Sequence, residues 1–235
     1  MSIFVSEFVG TAMLILLGNG VVANVVLNKT NGNNSGWIVI TFGWAIAVFV
    51  GVFIAAKGSG AHLNPAVTVA LAWLHKIEFD KIPVYLAGQL LGAMAGSLLV
   101  WVTYYKHYEA TDNPGAKLAT FCTMPAIKST AANFITEVIG TFALIFGVLY
   151  IVSPTSSLGA LDALPVALLV LGIGLSLGGP TGYAINPARD LGPRIMHAIL
   201  PIPAKGKSGW EYSWVPVIAP IVGAILAAIV FNCLM

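Results

Sequence analysis

The 235-residue chain carries very little charge. Asp, Glu, Lys and Arg together make up 9% of it, against roughly 25% in an average soluble domain. A soluble domain of this size would leave its water-facing surface under-covered, so lipid is the solvent for much of this one. Arginine occurs only as Arg189 and Arg194, there is no basic run, and the formal net charge is +2. That scarcity excludes an electrostatically bound nucleic acid. Cysteine is nearly absent: Cys122 and Cys233 have no metal-ligand spacing and form no disulfide framework. Cleavable-leader features are missing too. No basic region precedes the first apolar stretch, which runs too long for a signal peptide, so the first span is expected to stay in place.

What is present is apolar length. Hydrophobic residues are 58% of the chain and gather into six runs, roughly 3–27, 37–57, 82–105, 132–152, 161–179 and 213–234. Each is close to the about 20 residues a spanning helix needs. Backbone polar groups inside lipid must be satisfied within the segment, so the runs are predicted to be helices. Asn28–Gly36 reads as a surface loop, and Lys106–Lys128 is the longest connection. Two further apolar stretches are too short to span. They follow Asn64 to about His75 and Asn186 to about Ala198. Each reaches roughly 16–18 Å, about half the hydrocarbon thickness. The expected fold class is all-α: six transmembrane helices plus two re-entrant half-helices.

The two halves resemble each other. Glu7-Phe8-Val9-Gly10-Thr11 parallels Glu137-Val138-Ile139-Gly140-Thr141, and Gly92-Ala93 parallels Gly223-Ala224. Gly60-Ala61-His62-Leu63-Asn64-Pro65-Ala66 parallels Gly182-Tyr183-Ala184-Ile185-Asn186-Pro187-Ala188. We read one transmembrane domain, 1–235, built of repeats 1–118 and 119–235. Three spans per half is an odd number, so the repeats are inverted and the short segments enter from opposite faces. Such pairs point to a site at mid-membrane.

Asn is a favoured N-cap and Pro a favoured first helical residue. Asn64-Pro65 and Asn186-Pro187 therefore read as two helix starts. Each Asn oxygen caps its own helix, which leaves its NH₂ free as a donor. Both helices aim positive dipole ends, each roughly half an elementary charge, at the same point. A cation there is repelled, while a neutral hydroxyl is accepted. The glycine-rich residues before each Asn are expected to present a ladder of carbonyls, because irregular backbone at this depth must face protein or a wet cavity. Gly60, Ala61, His62 and Leu63 form one ladder, and Gly182, Ala184 and Ile185 belong to the other. Glu7 and Glu137 are the Glu residues well inside apolar spans. A proton relay is one reading; the favoured one has each carboxylate holding the N–H groups of a bent loop. His62 reads as a positioned lining residue. With His75, His107 and His197 scattered, no metal or other cofactor is implied.

At these residues the chain resembles the aquaporin superfamily, the major intrinsic protein family. GAHLNPAVT (60–68) and NPARDLGPR (186–194) are similar to its two signature loops, and the likeness covers essentially the whole chain. Asp190 after Arg189 resembles the glycerol-facilitator branch. The resemblance implies a narrow filter made of Arg189, Trp44, Tyr183 and Gly174, with glycine leaving space where water-selective relatives tend to have His. Phenylalanine is common where Tyr183 stands. Asp190 is expected to brace the outer loop by pairing with Arg194. The implied function is a passive channel for glycerol, water and similar neutral solutes such as dihydroxyacetone, urea or undissociated small acids. A homotetramer in the plasma membrane with both termini cytoplasmic is implied as well. The positive-inside rule alone would favour the opposite orientation, because Lys29, Lys106, Lys117, Lys128, Lys205 and Lys207 share one face of this layout. Gly88, Gly92 and Gly96 suit close helix packing, within or between subunits. The competing reading is a coupled secondary transporter of small polyols, which needs acidic or ion-coordinating groups at the centre. An enzyme lacks a nucleophile–base pair.

Overall fold

A computed structural model of the protein describes residues 1–151 and 156–235. Among the described residues, six helical segments are long and apolar enough to cross a membrane: α1 (Ile3–Val26), α2 (Trp37–Ser59), α4 (Ile82–Thr103) with the turn before it, α7 (Thr130–Tyr150), α8 (Leu164–Leu177) with the turn before it, and α10 (Val215–Leu234). Two shorter helices, α3 (Pro65–Trp73) and α9 (Pro187–Ile199), occupy the re-entrant positions. Observed and expected ends agree to within about three residues. Residue 152, the expected end of the fourth run, lies outside the described residues. Short 3₁₀ turns at Phe79–Lys81 and Gly159–Ala163 lead into α4 and α8, each of which has Pro in its first turn.

The long central connection is more ordered than a polar link. It folds into two short helices, α5 (Tyr105–Glu109) and α6 (Pro114–Ala119). Tyr108, Phe121 and Cys122 in it are buried against Leu200 and Ile202. Lys117 is buried as well, with its ammonium donating to the Pro203 carbonyl. Burial pushes the Cys122 thiol upward in pKa, which makes it a packing residue and a poor nucleophile. Cys233 is exposed.

Within the first half, α1 packs on α2 and α4; α10 packs on α7 in the second, and α2 meets α8 between them. Small residues make the closest approaches possible. A Cβ on Gly92 would lie 2.4 Å from the Phe8 carbonyl oxygen, and one on Gly223 2.4 Å from that of Val138. These positions correspond in the two halves. Gly88 and Gly96 likewise face α1, at Phe4 and Ala12, so the four-residue glycine spacing serves packing within the subunit. Van der Waals contact of this kind is the main attraction between helices in lipid.

Gly92→Val and Gly223→Val should each lower the thermal midpoint in detergent, by the about 1–3 kcal/mol typical of overpacking. Gly172→Ala, where a Cβ meets nothing within 4 Å, should leave it unchanged or raised. Equal behaviour of the three variants would disprove the close-packing role.

Candidate conduction pathway

α3 and α9 begin where the sequence places them. The Asn64 side-chain oxygen accepts from the Ala66 N–H at 2.9 Å. That of Asn186 accepts from the Ala188 and Arg189 N–H groups at 3.0 and 3.2 Å. Pro65 and Pro187 fill the first helical positions. One expectation needs correction, because the two NH₂ groups are not wholly free. Asn64 Nδ2 donates to the Ile185 carbonyl and Asn186 Nδ2 to the Leu63 carbonyl, both at 2.8 Å. An amide carries two N–H donors, so each Asn keeps one that has no partner among the described residues. The cross-bonds exist because the residue before each Asn ends its loop beside the opposite helix start.

The loops are held from behind. Glu7, fully buried, accepts from the His62 and Leu63 N–H groups at 3.0 and 2.7 Å. Glu137 accepts from the Ala184 and Ile185 N–H groups, both at 2.9 Å. With their N–H groups turned to a carboxylate, these residues are left with carbonyls for the opposite side. The turn requires left-handed backbone at non-glycine residues: φ is +53° at Ala61, +52° at Leu63, +38° at Tyr183 and +43° at Ile185. Such conformers cost of order 1–3 kcal/mol each and persist where the surroundings over-determine them. Gly60 and Gly182, both at φ +79°, open the two loops without that strain.

Both loops line one cavity of about 180 Å³. Gly60 to Asn64 and Tyr183 to Asn186 form its backbone side, with Arg189 beside them; Gly182 precedes this stretch. The lining also includes the apolar side chains of Leu14, Val48, Val52, Val148, Val166 and Val170. At one end the Arg189 guanidinium sits 4.4 Å from the Trp44 ring centroid, within cation–π range. Trp44, Tyr183 and Arg189 line the cavity, but Gly174 does not. A Cβ there would lie 3.0 Å from Tyr183 Cζ. The room that glycine leaves is therefore occupied by the Tyr183 ring, which corrects the expectation of an open corner.

A sequence model of the Major intrinsic protein family matches residues 1–231. The chain belongs to the major intrinsic protein family. It is 56% identical over 234 residues to the "Probable glycerol uptake facilitator protein" of Thermotoga maritima, covering 100% of both chains. It is 54% identical over 226 residues to a glycerol uptake facilitator protein of Streptococcus pneumoniae, covering 96% of each. The X-ray structure of the aquaglyceroporin from Plasmodium falciparum superposes with a TM-score of 0.86 at 35% identity, covering 97% of this chain and 94% of that one. The fold is thus that of the family, and the chain is a multi-pass membrane protein.

Around this family architecture lie supporting residues that the sequence reading missed. Gln89 donates to Glu7 at 2.8 Å and to Thr68 at 3.0 Å. Tyr85 donates to the Ser59 carbonyl at 2.6 Å and stacks on His62 with centroids 4.1 Å apart. His62 is held further by Thr68, Nδ1 to Oγ1 at 3.0 Å. Ser59 and Thr181 give matching hydroxyl donors to Glu7 and Glu137, at 2.5 and 2.6 Å. Gln89, a polar residue inside an apolar run, was the available signal. Asp190 does pair with Arg194, at 2.7 Å with both fully buried. Its other oxygen accepts from the Thr123 N–H and hydroxyl, both at 2.8 Å. The Arg194 guanidinium also donates to the Thr123, Ser208 and Gly209 carbonyls. Every charged atom in the pair thus has partners, as burial demands.

Glu137→Gln would turn an amide NH₂ toward one of the two loop N–H groups and strand it, at about 1–3 kcal/mol. Both the detergent melting temperature and the solute flux per channel in vesicles should fall. Wild-type values for both would show that other contacts hold the loop.

Proposed function

We propose that the protein is a passive channel for glycerol and other small neutral solutes, with water, and that it excludes protons and ions. The observation that carries this reading is the mixed lining of the cavity: apolar side chains together with loop backbone, Asn64, Asn186 and Arg189. A polyol has a CH edge and a hydroxyl edge, and this lining offers partners to both. Each Asn retains one N–H for a passing hydroxyl, and the starts of α3 and α9 bring two positive dipole ends to the same depth. Arg189 adds a fixed positive charge, and Trp44 and Tyr183 receive the CH edge. The glycerol uptake facilitators of Thermotoga maritima and Streptococcus pneumoniae support glycerol as the principal solute.

Dihydroxyacetone, urea and undissociated small acids share the size and neutrality the filter selects, and belong to the proposed range. The coupled-transporter reading is not favoured. Among the described residues lining the cavity there is no carboxylate, and Glu7 and Glu137 are committed to loop N–H groups. Included in the proposal are the remaining features that family membership supports: a plasma-membrane homotetramer with one pathway per subunit, cytoplasmic termini, and repeats meeting near residue 118.

Stopped-flow vesicle measurements of water, glycerol and proton flux in one preparation test the function. Glycerol flux should be non-saturating and indifferent to a proton gradient; coupling to that gradient would sink the channel reading. Replacing Arg189 with Val should raise proton or cation leak by about tenfold, as expected for removing a charge interaction of over 1 kcal/mol; an unaltered leak would take Arg189 out of the filter. Gly174→His should reduce glycerol flux more than water flux, because the new side chain must drive Tyr183 into the pathway. Equal reductions would show that this corner does not set the opening.

A further inference from the structure

Trp37 opens α2 and is absent from the cavity lining. Its indole Nε1 donates to the Gly174 carbonyl at 3.0 Å, across 137 residues of sequence. Gly174 lies in the last turn of α8, where helix carbonyls lack partners within their own helix. The same indole meets Tyr183 edge-on, with centroids 5.8 Å apart and planes at 80°. One turn beyond Gly174, a Cβ on Gly178 would lie 2.4 Å from Tyr183 Cδ1 and 2.9 Å from Trp37 Cζ2. The tyrosine ring is thus wedged against Gly174 of α8 and Gly178 at its C-cap, and closed in by Trp37. Among the described residues its own hydroxyl is buried without a hydrogen-bond partner, so no polar contact of the side chain with them pins the ring. Its backbone is held in a strained conformer at φ +38°. Packing against its neighbours and this backbone conformer set where the ring stands.

We infer that Trp37 is a positioning residue for the filter, fixing how far Tyr183 reaches into the pathway and so setting the size limit on conducted polyols. The inference rests on the proposed role of Tyr183 as a filter wall. The indole acts twice, tethering α8 through Gly174 and blocking the outward swing of the ring. A polyol one or two carbons longer than glycerol is the solute most sensitive to this setting.

The test compares erythritol, glycerol and water permeability in vesicles containing wild-type protein, Trp37→Phe, Trp37→Leu, Tyr183→Leu and the Trp37→Leu/Tyr183→Leu double variant. Trp37→Leu should raise the erythritol-to-glycerol ratio by about fivefold, the factor carried by one net hydrogen bond, and change water less. Trp37→Phe, which keeps an aromatic edge but lacks the donor, should give a smaller rise and remains informative if the leucine variant folds poorly. In the double variant, Trp37→Leu should add nothing to the effect of Tyr183→Leu, since the two act through one ring. A merely structural tryptophan would lower all three fluxes together and leave the ratios alone, which overturns the proposal. Unchanged ratios in both Trp37 variants beside a changed ratio in Tyr183→Leu would also overturn it, while the filter reading stands. No change in Tyr183→Leu either would remove the filter reading and this inference together.

Discussion

A pathway through hydrocarbon makes contradictory demands on the backbone. Lipid requires every N–H and C=O to be paired, whereas a passing hydroxyl needs acceptors left open. Glu7 and Glu137 reconcile the two. Each gathers the N–H groups of a short loop into one carboxylate, so that the loop carbonyls are not spent on them; of these carbonyls, Leu63 and Ile185 accept from the crossed Asn amides. The charge-assisted bonds involved are stronger than neutral ones, which suits backbone held left-handed at Ala61, Leu63, Tyr183 and Ile185. Much of the remaining core serves these two side chains. Glycines on α4 and α10 bring those helices onto α1 and α7, the helices that carry the carboxylates.

The two supports are alike in plan and unlike in detail. Glu7 has a third and fourth donor in Ser59 and Gln89, while Glu137 has Thr181. At the offset that relates Gly92 to Gly223, Tyr85 and Gln89 correspond to Pro216 and Pro220. Thr68, which braces His62, corresponds to Asp190, which turns outward to Thr123 and Arg194. One loop is therefore secured by side chains of α4. The other is tied, through Asp190 and Arg194, to the central connection and residues 208–209.

Features carried by local pattern were legible in the sequence. The spans follow from apolar length, the half-helix starts from Asn-Pro, and the carboxylates from their isolation in apolar runs and their repetition. Trp44 and Arg189 came through the family resemblance, and the structure sets them against each other. What escaped depends on the register between halves. Nothing local says that Gly18 clears space for Trp44, though a Cβ there would lie 2.3 Å from the indole. Nor does the sequence say that Tyr183 fills the gap above Gly174, or that Trp37 reaches α8. The Asn amides were half understood for the same reason. Their capping oxygens answer to neighbours in sequence, and their N–H groups to a carbonyl more than 120 residues away.

Those crossed amides make the halves reciprocal. Leu63 and Ile185 each offer a carbonyl that its own repeat cannot use, and each finds its donor on the opposite repeat. Neither half-structure is finished alone. Sliding one repeat by a single residue along the membrane normal would orphan polar groups in both, so the depth at which the two helix tips meet is locked by mutual need and not by the thickness of the surrounding bilayer.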